Sequence, residues 1–207
     1  PLVWRRLQIP RRLSLGALHF AIQHAMGWAQ RHPFVFVVGD ELYSFPDNEV
    51  EHPEASTLLE ATDLSIEQAF ADHDRIGYVY APTGDNWPHW IEIEERLEPG
   101  LGVHYPRCTD GETTCPPEGS GGIEHYSKMM HFLQENGALP EDDPYYGNWK
   151  PDRFDAGMFI PQPRALEEMA RQSSRPHFHF TGHGDEFQGM ATRTATRYHE
   201  DNGSAPG

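Results

Sequence analysis

Cysteine is scarce in this chain, with two in 207 residues, and basic charge is scarcer than acidic. Two cysteines cannot build the disulfide framework of a small secreted scaffold and suit a reducing compartment. Sixteen Lys and Arg against 32 Asp and Glu give a formal charge of −16. A surface of that sign repels phosphate backbones, which argues against general nucleic-acid binding. The basic start (Arg5, Arg6, Arg11, Arg12) keeps a local DNA contact as a minor reading. Apolar runs never approach the roughly 18–20 residues that span a bilayer, and no signal-peptide pattern is visible. The expectation is a soluble, cytoplasmic protein without a membrane partner.

Several chemistries lack their motifs. No GxGxxG follows a strand and no GxxxxGK[ST] occurs, so there is no phosphate cradle and no nucleotide cofactor is expected. GxSxG, CxxC and HExxH are absent too. What the chain does have is 12% aromatic residues, 18 prolines and 19 glycines. That mixture favours a folded domain with many turns and few long helices.

Residues 2–9 read as a strand ended by Pro10. In the next segment Leu15, Leu18, Ile22 and Met26 repeat at helical spacing between Ser14, a plausible N-cap, and Gly27, a plausible stop. Residues 34–45 read as a hairpin about Gly39-Asp40, and 46–57 as an acidic loop. Ser65 would cap a short helix. Strands follow at 76–80 and 89–95, the second with Trp90, Glu92 and Glu94 on a wet face opposite Ile91 and Ile93. Helices are expected at 123–135, with Tyr126, Met129, Met130 and Leu133 as the buried stripe, and from Pro163 to 172. Residues 137–163 should wrap the domain. The fold class is therefore α+β: a single domain over 1–172, with a mixed or antiparallel sheet, packed helices and long Pro/Gly-rich loops. Residues 173–207 read as a His-containing C-terminal extension with a flexible end.

Taken together, VWRRLQIP, SLGALHFAIQHAMGW, the Gly84-Asp85 turn with Trp87-Pro88-His89 and IEIE, PRCTDGETTCPPEGSGGIEHY and Phe154-Asp155 resemble the plasmid pRiA4b ORF-3-like family. Order and spacing match over roughly residues 1–160. The resemblance implies an α+β fold with a helix packed on a mixed sheet. Its members are often labelled passengers of mobile elements, and it implies no particular activity. Three departures stand out. The extra strand that family members carry before the Trp-Arg-Arg segment is missing, which implies an unpaired sheet edge or a cropped start. The usual turn is altered by Pro82-Thr83-Gly84. Gly119 stands where an acidic residue commonly follows Glu118.

Candidate chemistry falls in two places. Cys108 and Cys115 bracket a six-residue gap, with His104 before them and Glu118 and His125 after. Thiolate, imidazole and carboxylate suit zinc, but zinc knuckles space cysteines by two to four residues. A disulfide is sterically accessible to such a loop. The third reading is structural: a rigid Pro-Pro-Glu lid that Gly121-Gly122 turns into the next helix. If the Asp85–His89 turn lies near this loop, Asp85, His89, Cys108, Cys115 and Glu118 form one polar cluster. Asp85 equally suits a turn in which it accepts from nearby amides. The second place is the tail, where His177, His179, His183 and Asp185 offer a His-carboxylate set for zinc or iron, or simply an edge strand.

Two functional classes compete. One is a non-enzymatic binding or accessory module that offers its sheet face, its Pro-rich lid and the aromatics Trp90, Tyr145, Tyr146 and Trp149 to a protein partner or a small molecule. The other is a metal-dependent enzyme with ligands from Cys108, Cys115 and the tail histidines.

Overall fold

The computed structural model describes residues 3–46, 58–157 and 160–174, and the backbone of 189–196. The elements are β1 (Val3–Pro10), α1 (Leu15–Met26), β2 (Phe34–Val38), β3 (Glu41–Ser44), β4 (Leu58–Glu60), α2 (Ile66–Ala69), β5 (Arg75–Tyr80), β6 (Trp87–Leu97), β7 (Arg107–Glu112), α3 (Gly122–Asn136), α4 (Pro163–Ser173) and β8 (Gly189–Thr196). The fold is α+β. Its strands form one sheet in the order β4-β3-β2-β5-β6-β8-β1-β7, antiparallel throughout except for the β3–β4 pair.

Alternation along the strands creates two unlike faces. Val3, Leu7 and Ile9 of β1, Phe34 and Phe36 of β2, Ile76, Tyr78 and Tyr80 of β5 and Trp87 and Ile91 of β6 are buried on the inner face. Against them lies α1, whose side chains are buried on every side. A helix apolar all round belongs inside a domain, not on its surface. Here α4 covers the far side of α1, where a Cβ on Gly16 would stand 3.1 Å from the Ala170 Cβ. Glu167 of α4 accepts from both the amide and the hydroxyl of Ser14, at 2.7 and 2.9 Å. Ser14 also caps α1 through the Ala17 amide, and Gly27 ends the helix at φ 76°, a left-handed conformation that costs glycine little.

Arg5 lies on the inner face and is 2% exposed. No carboxylate meets it in the hydrogen bonds it makes. Its guanidinium donates to the carbonyls of Ala25 (3.0 Å), Trp4 (2.7 Å) and Glu112 (3.0 Å), and lies 4.1 Å from the Phe154 ring centroid. One planar fork thus ties the C-terminal end of α1 to β1 and to the end of β7.

Most expected elements are present, and three strands escaped the sequence reading, the shortest being β4, which pairs parallel to β3. Residues 107–112 lie in the stretch read as loop or lid, yet they form β7, paired to β1. Their sequence RCTDGE has no apolar alternation, so pairing with β1 decides the matter and propensity does not. The third is β8, whose eight residues run antiparallel to β1 from Val3↔Thr196 to Pro10↔Gly189 and pair with β6 on their other side. Contrary to the expected unpaired edge, β1 has a neighbour on both sides; the sheet edges are β4 and β7. The acidic loop expected at 46–57 lies almost wholly outside the described residues.

Arg5→Ala should lower stability by about 3 kcal/mol, because several carbonyls lose a charged donor at once. Arg5→Lys should recover only a minor part, since an ammonium cannot reproduce the fork. Urea unfolding midpoints at an unchanged slope measure both.

Candidate functional site

The segment 113–121 leaves β7, crosses the end of the inner layer and enters α3. Much of it is fastened by hydrogen bonds, though the Thr114 hydroxyl is buried without a partner. The Cys115 carbonyl accepts from the Trp149 indole at 2.8 Å and the Pro116 carbonyl from the Trp28 indole at 2.9 Å. The Thr114 amide donates to the Pro151 carbonyl at 2.8 Å. Glu118 reaches back to the chain leaving α1: it accepts from the Ala29 amide (2.7 Å), more weakly from the Arg31 amide (3.5 Å), and from the Tyr80 hydroxyl. That hydroxyl in turn accepts from the amides of Arg31 (3.0 Å) and His32 (3.3 Å).

Asp85 completes the latch from the β5–β6 turn. Its carboxylate accepts from the Ser120 amide (3.0 Å), the Gly121 amide (3.1 Å) and the Trp87 indole (3.1 Å). The two amides belong to the entry of α3, where Gly121 is the N-cap, and a carboxylate there also meets the positive end of the helix dipole. The approach is so close that a Cβ on Gly122 would fall 2.1 Å from the Asp85 carbonyl oxygen. Only glycine fits.

Of the expected cluster, Asp85 and Glu118 both anchor the C-terminal part of one loop. His89 belongs to the same region but faces inward. It is 4% exposed, its Nδ1 lies 2.8 Å from the Trp87 carbonyl, and its ring stands edge-on to Trp28 with centroids 5.5 Å apart. Burial pushes its pKa down to about 4, so the imidazole is neutral. Trp28, which the sequence reading did not single out, is the residue on which these groups converge. It stacks on Tyr80 at 4.8 Å and also contacts Trp87 at 6.2 Å.

The two cysteines are free and buried. Cys108 sits on β7 with its thiol 3.4 Å from the Asp110 carbonyl. Burial raises both thiol pKa values, against the opposing charge of Arg5, and raises that of Cys115 far more. Thiols held protonated are poor nucleophiles and poor ligands at neutral pH. Among the described residues no group of three or more His, Cys, Asp and Glu is arranged to hold a metal ion. His104 is exposed. His177, His179, His183 and Asp185 lie outside the described residues.

A further trio meets at the start of α3. His125 Nδ1 lies 2.6 Å from the Ser120 carbonyl, and its Nε2 lies 3.3 Å from Asp143. Asp143 also accepts from the amides of Tyr145 (3.0 Å) and Tyr146 (2.8 Å). Burial works against its charge, but the amides of Tyr146 and Tyr145 outweigh it and hold the carboxyl below its ordinary value. Composition suggests a Ser-His-Asp triad, but geometry does not. The imidazole addresses the serine carbonyl, while the hydroxyl is buried against the Tyr146 hydroxyl at 3.1 Å. Asp143, read from the sequence as part of a solvated acidic run, is therefore a bracket for the 143–149 turn.

The opposite face of the sheet differs. Trp4 and Arg6 of β1, Arg75 of β5, and Trp90 and Glu94 of β6 project there, and Trp90 is 43% exposed. Arg75 lies 4.8 Å from the Trp90 ring and Arg6 5.3 Å from the Trp4 ring. Arg6 is also paired with Glu94 (2.6 Å) and Asp110 (2.8 Å). Of the other aromatics expected at the surface, Tyr145 is exposed, but Tyr146 and Trp149 are buried by the latch.

Fold and site together define an α+β helix-on-sheet domain with a latched Pro-Pro-Glu loop and a wet sheet face. The chain belongs to the plasmid pRiA4b ORF-3-like protein family, whose sequence profile matches residues 1–162. It is similar to the uncharacterised protein y4hQ of Sinorhizobium fredii (strain NBRC 101917 / NGR234), with 32% identity over 136 residues, covering 65% of this chain and 68% of that protein. Among solved structures it resembles the protein of unknown function MM3350 from Methanosarcina mazei Go1. The TM-score is 0.61 at 28% identity, covering 74% of this chain and 86% of the other.

The buried imidazoles fix a pH dependence. His19 of α1 is 3% exposed, and burial lowers its pKa to about 3. With His89 near 4, the unfolded chain binds protons below its ordinary value of about 6.5 that the native state refuses. Their stabilisation is thus complete above that value and is lost as pH falls towards 4 and 3. Each histidine should cost roughly 2 kcal/mol between pH 7 and pH 5. Unfolding free energy measured across that range should fall steeply for the native chain and less steeply for His89→Phe.

Proposed function

We propose that this protein is a non-enzymatic binding module that docks a protein partner on the open face of its sheet. The observation that carries the reading is the pair of arginine–tryptophan stacks, Arg6 on Trp4 and Arg75 on Trp90, on one face of the sheet with strand β8 between them. Arginine and tryptophan are the side chains most enriched where interface energy concentrates, and a stacked guanidinium is already ordered before binding. The carboxylates around them (Glu92, Glu94, Asp110, Glu112) and the chain's charge of −16 select a partner surface of neutral or basic character. By contrast, Asp85, Glu118, His89, His125 and Asp143 of the inner side are engaged in holding backbone. Buried free thiols accord with a cytoplasmic setting. No helix among the described residues is long and apolar enough to cross a membrane.

The competing reading, a metal-dependent enzyme, draws on His177, His179, His183 and Asp185 with the two cysteines. Elemental analysis of untagged protein purified without chelator separates the two: the binding reading expects no stoichiometric zinc or iron. For the docking face itself, a purified partner recovered in stoichiometric complex should protect Trp90 from hydroxyl-radical footprinting. Trp90→Ala combined with Arg75→Glu should weaken that complex by a hundredfold or so, the usual scale for losing a central anchor. Unchanged affinity in a folded double variant would end the proposal.

A further inference from the structure

On the inner side, beyond the N-terminal half of α1, lies a half-open cleft of about 200 Å³ lined by His19, Phe20, Gln30, His32, Phe34, Phe45 and Ser173. Its wall is aromatic. The His19 imidazole lies flat on Phe34, with centroids 3.8 Å apart and planes inclined by 14°, and Phe20 and Phe45 meet it edge-on at 4.9 and 6.0 Å. Such a ring, 3% exposed, normally has both nitrogens satisfied. Here only one is. Nδ1 lies 2.9 Å from the Tyr78 hydroxyl, and that hydroxyl already accepts from the Gln23 amide at 3.0 Å.

The tautomer rests on the orientation of the Gln23 amide, whose Nε2 faces the Tyr78 hydroxyl while its own Oε1 is buried without a partner. With that amide donating to the phenol oxygen, the Tyr78 proton points at Nδ1, and the proton of the neutral imidazole sits on Nε2. Nε2 has no partner among the described residues, yet it is not among the side-chain atoms buried without one. It opens on the cleft as a fixed N–H donor.

We propose that this cleft binds a small, uncharged, single-ring aromatic molecule that carries a hydrogen-bond acceptor. Size sets the first limit, since an apolar cavity of about 150 Å³ holds a benzene ring. The space here admits one ring and a short substituent. Charge sets the second. The described walls offer no lysine, arginine or carboxylate, and His19 is neutral, so an ion would lose its hydration without a counter-charge from them. The unpartnered donor sets the third: an acceptor placed against Nε2 removes the penalty of a buried N–H left unpaired.

The latch described above also shapes this cleft. Gln30 and His32 line its mouth, and their backbone is held by Glu118 through the Ala29 and Arg31 amides and by Tyr80 through those of Arg31 and His32. Glu118 and Tyr80 are thus positioning residues for a site that they do not line. The cleft lies on the opposite side of the sheet from the arginine–tryptophan stacks, so either proposal stands if the other fails.

The test uses the full chain and three probes of one ring size: benzamide, toluene and benzylammonium. Benzamide should shift the Nε2–H resonance of His19 and bind about tenfold more tightly than toluene, which lacks the acceptor. It should likewise outbind benzylammonium. His19→Phe keeps the stack on Phe34 but removes the donor, and should bring benzamide down to the affinity of toluene. Should that variant not fold, Gln30→Ala at the mouth replaces it and should weaken benzamide severalfold. An unmoved His19 resonance, equal binding of the three probes, or undiminished benzamide binding by a folded variant would overturn the proposal.

Discussion

The carboxylate of Glu118, closing the 113–121 loop onto the chain that leaves α1, is the contact on which the rest of this domain is arranged. A loop rich in proline and glycine gains little from local structure. It stays in place only if its backbone groups find partners elsewhere. Glu118 supplies one attachment and Asp85, at the Ser120 and Gly121 amides, another, with two tryptophan indoles fastening the Cys115 and Pro116 carbonyls ahead of them. Each contact joins segments distant in sequence, so the loop holds together α1, the β5–β6 turn, the entry of α3 and the 143–151 turn.

That arrangement explains why the residues most suggestive of chemistry are not assembled for it. A general base needs a free nitrogen or oxygen facing a space that substrate can enter. Asp85, Glu118, His125 and Asp143 instead face backbone amides, carbonyls or one another. His19 is the exception: one nitrogen is fixed by Tyr78 and the other opens on a cleft. Among the described residues the wet face of the sheet carries the cation–π pairs, and the inner side carries a small aromatic recess beside the chain that the latch holds.

The fold class and most elements were legible because their signals are local. Ser14 and Gly27 cap α1, Ser65 caps α2 with Gln68 completing the capping box, and the alternation of β6 separates Trp90 and Glu94 from Ile91. Illegible were β4, three residues long and set by its pairing with β3, and β7 and β8, whose polar sequences become strands through pairing with β1. The meeting of the Asp85 turn with the Cys-containing loop could be framed as a question but not answered, because 35 residues separate Asp85 from its amide partner at Ser120. Trp28 and Tyr80 went unnoticed as organisers. Single aromatics after a helix or at a strand end look like ordinary core, and only the third dimension shows what their polar atoms hold. The same holds for His19, which in sequence is one more residue of an apolar helix.

Amide hydrogen exchange at Ala29, Arg31, Ser120 and Gly121 tests the central claim most directly, since these four amides are the ones the two carboxylates hold. If the loop is a structural latch, all four should exchange only through opening events nearly as costly as global unfolding, in step with the amides of α1. Exchange many orders of magnitude faster than α1, with the loop opening while the sheet stays protected, would show a mobile lid and contradict the account.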